Sequence, residues 1–181
     1  GSLSISVDDD TPDAGTNAAV LLDDEAATTT NAAPNADGSG DQAPDTVNAS
    51  GTLAHSYGAD GAGTTLLTGA GLATHNPLAL AVEGAFTQEV SADGLTLTIY
   101  QVQDSAAVAV LQVKLSNATD GLYMVEQLNQ IYHPTPGESE EEREFTITYQ
   151  VKDDDGDTVD GSLSISVDDD TPDASSNLAQ A

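Results

Sequence analysis

The sequence contains no cysteine among its 181 residues, so disulfide bonds are excluded as a brace for the fold. A secreted domain without disulfides needs another form of stabilisation, and a bound metal ion is the usual one. Aromatic residues make up only 4% of the chain, which predicts a thin core built from valine, leucine and isoleucine. No apolar run is long enough to cross a bilayer, so insertion into a membrane is not expected.

Basic residues are also nearly absent. Lys114, Arg143 and Lys152 stand against 31 acidic residues, and the net charge is −28. Nucleic acid is not expected as a partner, because its phosphates would be repelled. Most carboxylates have no side-chain cation to pair with, so they must either face water or share inorganic cations. A solvated acidic surface explains the scattered carboxylates, but clustered ones repel one another unless a cation lies among them.

One stretch of the chain occurs twice in identical form. Residues 1–14 read GSLSISVDDDTPDA, and residues 161–174 repeat them 160 positions later. Such a duplication predicts one period of a tandem array. We therefore expect residues 1–13 to be the last strand and acidic linker of a preceding repeat, residues 14–174 to be one repeat with its own linker, and residues 175–181 to start the next.

Alternating apolar and polar residues predict an antiparallel β-sandwich of seven or eight strands, without a convincing helix. Asp93-Gly94 is a strong hairpin signal, and Asp120-Gly121 predicts the next turn. Residues 106–115 are apolar on both faces, which favours a central position in a sheet. Residues 145–151 and 158–167 also alternate, and the acidic turn between them predicts a final hairpin.

The two copies of the duplicated strand, residues 1–7 and 161–167, suit the same place in a sheet. We expect the second copy to occupy it, because its hairpin partner, residues 145–151, is adjacent in sequence. The first copy is then a stray strand that can pair with a neighbouring molecule. A short edge strand is expected at residues 18–22.

The sharpest candidate metal site is the acidic turn DDDGD at residues 153–157. Asp153, Asp155 and Asp157 alternate along a glycine turn and can point several oxygens inward, as Ca²⁺ requires. The spacing resembles the start of an EF-hand loop, but position twelve is Ser164 rather than glutamate and strands flank the loop. An EF-hand is therefore rejected. The alternative is an acidic hairpin turn that binds no metal.

Two further acidic groups are candidate ligands. A linker as acidic as that of the duplicated stretch repels itself without a cation. Its candidate ligands in the two copies are Asp8, Asp9, Asp10, Asp168, Asp169 and Asp170, with Asp13 and Asp173 beyond the prolines. Asp23, Asp24 and Glu25 follow the first linker and could reach back to complete a site at the junction. Asp37 and Asp41 are weaker candidates, and a plain polar loop is the alternative for them.

Catalytic chemistry has little support in the sequence. His55, His75 and His133 are scattered without a common spacing, so we expect structural roles for them rather than zinc binding or catalysis. Ser/His/Asp triads can be assembled from any chain this rich in serine and aspartate. The glycine clusters lack the Gly-Lys-Ser/Thr ending of a phosphate loop. We expect no enzyme activity and no small-molecule substrate.

Several stretches together resemble a known family. The ending DDDGDTVDGSLSISV at residues 153–167, followed by DDDTP, is similar to the end of repeat domains in very large type I-secreted RTX adhesins of Gram-negative bacteria. Residues 22–25 (LDDE), 51–53 (GTL), 57–63 (YGADGAG) and 121–134 also fit the pattern. The calcium nonapeptide of the RTX β-roll is absent. The resemblance implies an immunoglobulin-like β-sandwich, called an extender, that binds Ca²⁺ at its ends and joints.

These observations lead to one functional expectation. The chain is expected to be a calcium-stabilised, monomeric extender module at the bacterial cell surface, outside the cell, whose partners are neighbouring repeats of the same chain. Many copies would space an adhesive tip from the cell for surface attachment and biofilm formation. The alternative is an adhesin domain that binds carbohydrate or a surface through loops at residues 58–76 or 133–144.

Overall fold

The part of the chain that the computed structural model describes contains ten β-strands and no helix. That part comprises residues 3–4, 10–24, 46–77, 82–132 and 142–168. The strands are β1 (Val20–Asp23), β2 (Asn48–Thr52), β3 (Thr64–Gly69), β4 (Ala73–Thr74), β5 (Phe86–Val90), β6 (Thr96–Gln103), β7 (Ala106–Leu115), β8 (Leu122–Gln127), β9 (Arg143–Lys152) and β10 (Thr158–Asp168). Among these residues no helix could span a membrane.

The strands form two sheets that pack as a β-sandwich, so the predicted fold class is confirmed. One sheet has the order β1-β10-β9-β3, and the other has the order β2-β8-β7-β6-β5-β4. Most neighbouring strands are antiparallel, but β1 pairs with β10 and β4 with β5 in parallel. The count exceeds the predicted seven or eight. The short edge strand expected at residues 18–22 is present as β1, at the edge of the four-stranded sheet.

The final hairpin, β9 and β10, forms the centre of the four-stranded sheet. Strands β9 and β10 pair from Thr158↔Lys152 to Val167↔Arg143. The second copy of the duplicated strand lies in β10, so the prediction that it occupies the sheet is confirmed. Of the first copy only Leu3 and Ser4 are described, and Leu3 is 86% exposed.

The core lies between the two sheets and is aliphatic, as the composition predicts. Leu97, Ile99 and Val113 from one sheet and Ile147 and Leu163 from the other are each at most 1% exposed. Strand β7 lies between β6 and β8, which confirms the central position predicted from its two apolar faces. Burial of aliphatic side chains on two facing sheets is the main force that stabilises such a sandwich.

The segment before β1 is tied to the final hairpin by Asn17. Its amide nitrogen donates to the Tyr149 hydroxyl at 2.9 Å and to the Ser162 carbonyl at 2.8 Å, and its amide oxygen accepts from the Ala54 N–H at 2.7 Å. The Tyr149 hydroxyl donates in turn to the Ala54 carbonyl at 2.7 Å. The chain therefore runs alongside β10 before β1 joins that strand.

Candidate metal centre

The β9–β10 turn folds around the side chain of Asp153. One carboxylate oxygen, Oδ1, accepts from the backbone N–H of Gly156 at 2.9 Å and from that of Asp157 at 2.8 Å. The Asp153 N–H donates to the Asp157 carbonyl at 3.1 Å. Gly156 has φ of +114°, a conformation that side-chain-bearing residues rarely adopt. The sequence DDDGD thus forms a tight turn because an aspartate bonds its amides and a glycine permits its backbone.

The same turn brings three carboxylates together. Asp153, Asp155 and Asp157 each offer an oxygen, and these oxygens lie within 4.8 Å of one another. Asp153 is only 2% exposed, and its second oxygen, Oδ2, is buried without a hydrogen-bond partner among the described residues. Burying a carboxylate oxygen without a partner is costly. A cation held between the three carboxylates would supply that partner, so the residues fit a hard, oxygen-seeking metal ion.

The Asp153 carboxyl is expected to be ionised at neutral pH. Burial raises its pKa and is the largest single influence. The interaction with the Asp155 side chain and the amides of Gly156 and Asp157 together outweigh it, so the pKa lies below its ordinary value. An ionised carboxylate close to two others favours cation binding over a neutral turn.

A loop packs against this turn and extends the acidic surface. A Cβ on Gly61 would lie 3.5 Å from the Cβ of Asp154, so residues 57–63 lie beside the turn. Asp10 joins this loop: its N–H donates to Asp60 Oδ2 at 2.9 Å, and its own Oδ2 accepts from the Ala59 N–H at 2.8 Å. We call this end of the sandwich, with residues 57–63 and 153–157, the hairpin end.

A second acidic group lies where β10 ends, which we call the exit end. Asp23 pairs with Asp168 in the β1–β10 register, and the Asp24 N–H donates to the Asp168 carbonyl at 2.9 Å. Asp23 and Asp24 are 5% and 3% exposed. Asp24 Oδ1 accepts from the Ile131 N–H at 2.7 Å and from the Gln127 amide. Asp24 therefore connects the two sheets.

Comparison with known families matches residues 19–166 to a domain of unknown function, DUF5801. The match covers most of the chain. The chain belongs to the DUF5801 family. Comparison with curated proteins, and separately with solved structures, gave no match.

In this DUF5801 domain both copies of the acidic stretch DDDTPD lie outside the family match. The first copy, residues 8–13, precedes position 19, and the second, residues 168–173, follows position 166. Of the predicted linker ligands the structure describes Asp10, Asp13 and Asp168. Asp10 and Asp13 lie beside residues 56–60, and Asp168 lies at the opposite end of the sandwich.

The structure does not gather all the predicted ligands of the DUF5801 domain in one place. It brings Asp153, Asp155 and Asp157 together, and it places Asp23 and Asp24 beside Asp168 rather than beside Asp10. Other predicted residues, Asp8, Asp9, Glu25, Asp37, Asp41, Asp169, Asp170 and Asp173, lie outside the described residues.

Two histidines of the domain have structural contacts. His55 Nδ1 lies 2.7 Å from the Leu53 carbonyl, and the ring packs edge-on against Tyr57. His75 stacks on Tyr100 with ring centroids 4.0 Å apart. Both arrangements fit the structural roles expected for these residues. His133 lies outside the described residues.

Sequence reasoning missed two groups of interest. Asp60, which receives the Asp10 N–H, gave only the weak signal of an acidic residue inside a glycine-rich turn. Gln127 gave no signal at all, although its side chain is 5% exposed and donates to Asp24 while its Oε1 has no partner among the described residues. Its role depends on a contact between residues 103 positions apart.

Proposed function

We propose that this DUF5801 domain is a calcium-stabilised structural extender, one of several copies that space an adhesive tip from a bacterial cell surface. The domain performs no catalysis in this proposal. Its work is mechanical, and its partners are the neighbouring repeats of the same chain. Surface attachment and biofilm formation are the processes that such a spacer serves.

The observation that carries the proposal is the buried Oδ2 of Asp153, which has no hydrogen-bond partner in the part of the chain that the structure describes and lies beside two further carboxylates. Three carboxylates provide only oxygen ligands and a high negative charge. Ca²⁺ and Mg²⁺ prefer such ligands, and Ca²⁺ tolerates the irregular geometry of a turn better than Mg²⁺ does. Zn²⁺ more commonly takes nitrogen and sulfur ligands in structural sites.

The position of the site explains how a cation would stabilise a spacer. Asp153, Asp155 and Asp157 would hold it at the hairpin end, where residues 57–63 and Asp10 also lie. When bound, the ion offsets repulsion among these carboxylates. The chain's own contacts then fix the turn, the loop and the incoming segment relative to one another. Metal binding contributes directly to folding when the site forms only in the native state.

The turn itself provides the test. Thermal unfolding of the present chain should shift upward when EDTA is replaced by millimolar Ca²⁺. An excess of about 100 times the dissociation constant contributes about 2.7 kcal/mol, or a rise of about 5–10 °C for a chain of this size. Asp155→Asn should lose at least half of this shift, because it removes one of three carboxylate ligands and leaves in place the bonds that Asp153 accepts from the Gly156 and Asp157 amides.

Asp104→Asn is the matched control. Asp104 is also an exposed hairpin-turn aspartate, and its φ of +51° suits asparagine, but it is not part of a carboxylate cluster in the described residues. It should retain the full calcium shift. A melting temperature that is the same in EDTA and Ca²⁺, or an equal loss in both variants, would contradict the metal site.

A further inference from the structure

The segment that precedes the family match is held by specific contacts at the hairpin end. Asp13 and Ser56 exchange two backbone hydrogen bonds, with N···O distances of 2.9 and 2.8 Å. Asp10 bonds to Ala59 and Asp60. Pro12 is buried. Residues 10–13 therefore occupy a defined surface formed by residues 56–60, which we call the docking loop.

This docked segment is the duplicated one. Residues 10–13 and residues 170–173 have the same sequence, and residues 161–168 lie in β10. By the repeat, Asp168 corresponds to Asp8 and Asp170 to Asp10. In sequence, a single residue separates Asp168, the last of β10, from Asp170, the counterpart of the first docked residue.

We propose that the docking loop is the receptor for the acidic segment of a preceding copy of this domain. The partner is a second copy of the same repeat, and the recognised segment is DTPD, residues 170–173 of that copy. Each linker would then end a strand on one domain and dock on the next, almost without free chain between them. This inference deepens the proposed extender role. It rests on that role only because it requires more than one copy of the domain in the same chain.

The chemistry of the contact favours this segment over other sequences. The Ala59 N–H needs an acceptor, which the first aspartate supplies, while the backbone N–H of that aspartate satisfies Asp60. The fourth residue pairs with Ser56 through its backbone. These bonds are all made between protein groups, so docking does not itself require a metal ion. Carboxylates of Asp10 and Asp60 nevertheless lie close together beside the 153–157 turn, so a cation would strengthen it.

The test uses the present chain extended by one period, residues 1–174 followed by a second copy of residues 15–174. Hydrogen exchange is measured at the Ala59 amide of each period, in EDTA and in Ca²⁺. Asp10→Ala should speed exchange about fivefold in the first period alone, because one hydrogen bond is lost. Asp170→Ala should do the same in the second period alone. In the present single-period chain, Asp170→Ala should leave Ala59 unchanged.

A cross-link provides a second measurement that does not depend on amide protection. The chain has no cysteine, so an introduced pair contains the only thiols. Residues that exchange two backbone bonds have Cα atoms about 5.5 Å apart, which suits a disulfide. In the two-period chain, Asp173→Cys should form a disulfide with Ser56→Cys of the second period. It should not do so with Ser105→Cys of that period, which lies in the β6–β7 turn.

The outcomes separate this inference from the metal proposal. Docking would be supported if, in EDTA, Asp10→Ala speeds exchange only in the first period, Asp170→Ala speeds it only in the second, and the cross-link forms only with Ser56→Cys. This holds even if Ca²⁺ has no effect on unfolding. Docking would be overturned if Asp170→Ala left the exchange rate of the second-period Ala59 amide unchanged and Asp173→Cys cross-linked equally to Ser56→Cys and Ser105→Cys. That result would not affect the calcium proposal.

Discussion

Asn17 is the side chain that fixes the incoming segment to both final strands. Its three hydrogen bonds reach Tyr149, Ser162 and Ala54. Replacing it by alanine leaves the Ala54 N–H and the Ser162 carbonyl without this partner. A net cost of about 1 kcal/mol for each bond predicts that Asn17→Ala lowers the free energy of unfolding by about 2–3 kcal/mol.

Urea unfolding measures this effect. Asn129→Ala is the matched control, because Asn129 is exposed and its side chain donates to the Ala109 carbonyl at 2.8 Å. It should cost about 1 kcal/mol or less. Equal costs for the two substitutions would show that Asn17 does not tie the segment to the hairpin.

The raised pKa of the buried Tyr149 hydroxyl leads to a prediction of how stability changes at alkaline pH. Burial raises the pKa of its hydroxyl, the Asn17 bond lowers it, and the negative charge of Asp13 raises it further, so the net pKa is above 10.0. A group whose pKa is raised on folding stabilises the native state below its unfolded pKa of about 10, and this contribution is lost as the pH rises through the folded value. Stability should therefore fall above about pH 10.

The comparison of variants isolates this effect. Tyr149→Phe is less stable at neutral pH because it loses the bond to Ala54. Its stability should nevertheless fall less steeply than that of the unaltered chain between about pH 9 and 11. Tyr132→Phe, at an exposed position, should follow the unaltered chain. Parallel curves for all three proteins, measured by urea unfolding across this range, would refute the assignment.

At the scale of elements, a glycine in β10 accommodates an aromatic ring in β9. Gly161 pairs with Tyr149, and a Cβ added to Gly161 would lie 2.5 Å from the tyrosine hydroxyl oxygen. The ring cannot move aside easily, because Tyr149 is fully buried and its hydroxyl is bonded on both sides. Gly161→Ala should therefore destabilise the domain by about 1–3 kcal/mol, the usual cost of overpacking.

Gly15→Ala is the control for that substitution. Its added Cβ would meet Ala54 Cβ at 3.4 Å, an ordinary contact. It should change the midpoint of thermal unfolding by little, whereas Gly161→Ala should lower it by several degrees. If both variants melted alike, the pairing of Tyr149 over Gly161 would have no energetic role.

Elements with local signals were predictable from the sequence. Residues 145–151 and 158–167 alternate cleanly and form β9 and β10, and Asp93-Gly94 joins β5 to β6 as expected. The parallel pairing of β1 with β10 was not predicted, because it joins residues such as Val20 and Ile165 that are far apart in sequence. The alternation of apolar and polar residues indicates which face of a strand is buried, but it does not indicate which strand lies beside it in the sheet.

The candidate site shows the same division. The spacing of Asp153, Asp155 and Asp157 indicated a shared position for their carboxylates, which the turn confirms. Nothing in the spacing indicated that Asp153 would be buried, since its burial depends on how the turn and the neighbouring loop fold together. The contact of Asp24 with Gln127 could not be predicted from the sequence either, because it joins residues of different sheets that are far apart in the chain.

At the scale of the whole molecule, an acidic group lies at each end of the sandwich. The hairpin end contains Asp10, Asp60 and the 153–157 turn, and the exit end contains Asp23, Asp24 and Asp168. With a net charge of −28, two such ends brought together would repel. An array of these domains therefore needs either cations or specific contacts at each junction.

The parallel pairing of β1 and β10 determines how the domain bears tension. A pull applied at residue 10 draws β1 toward the hairpin end, while a pull at residue 168 draws β10 the opposite way, so the two strands slide past each other. The bonds between Val20–Asp23 and their partners Ile165–Asp168 are then loaded together in shear. Single-molecule stretching between residues 10 and 168 should need more force than stretching between 143 and 168, which unzips β9 from β10 one bond at a time. Equal forces would mean that this edge strand gives the module no mechanical strength.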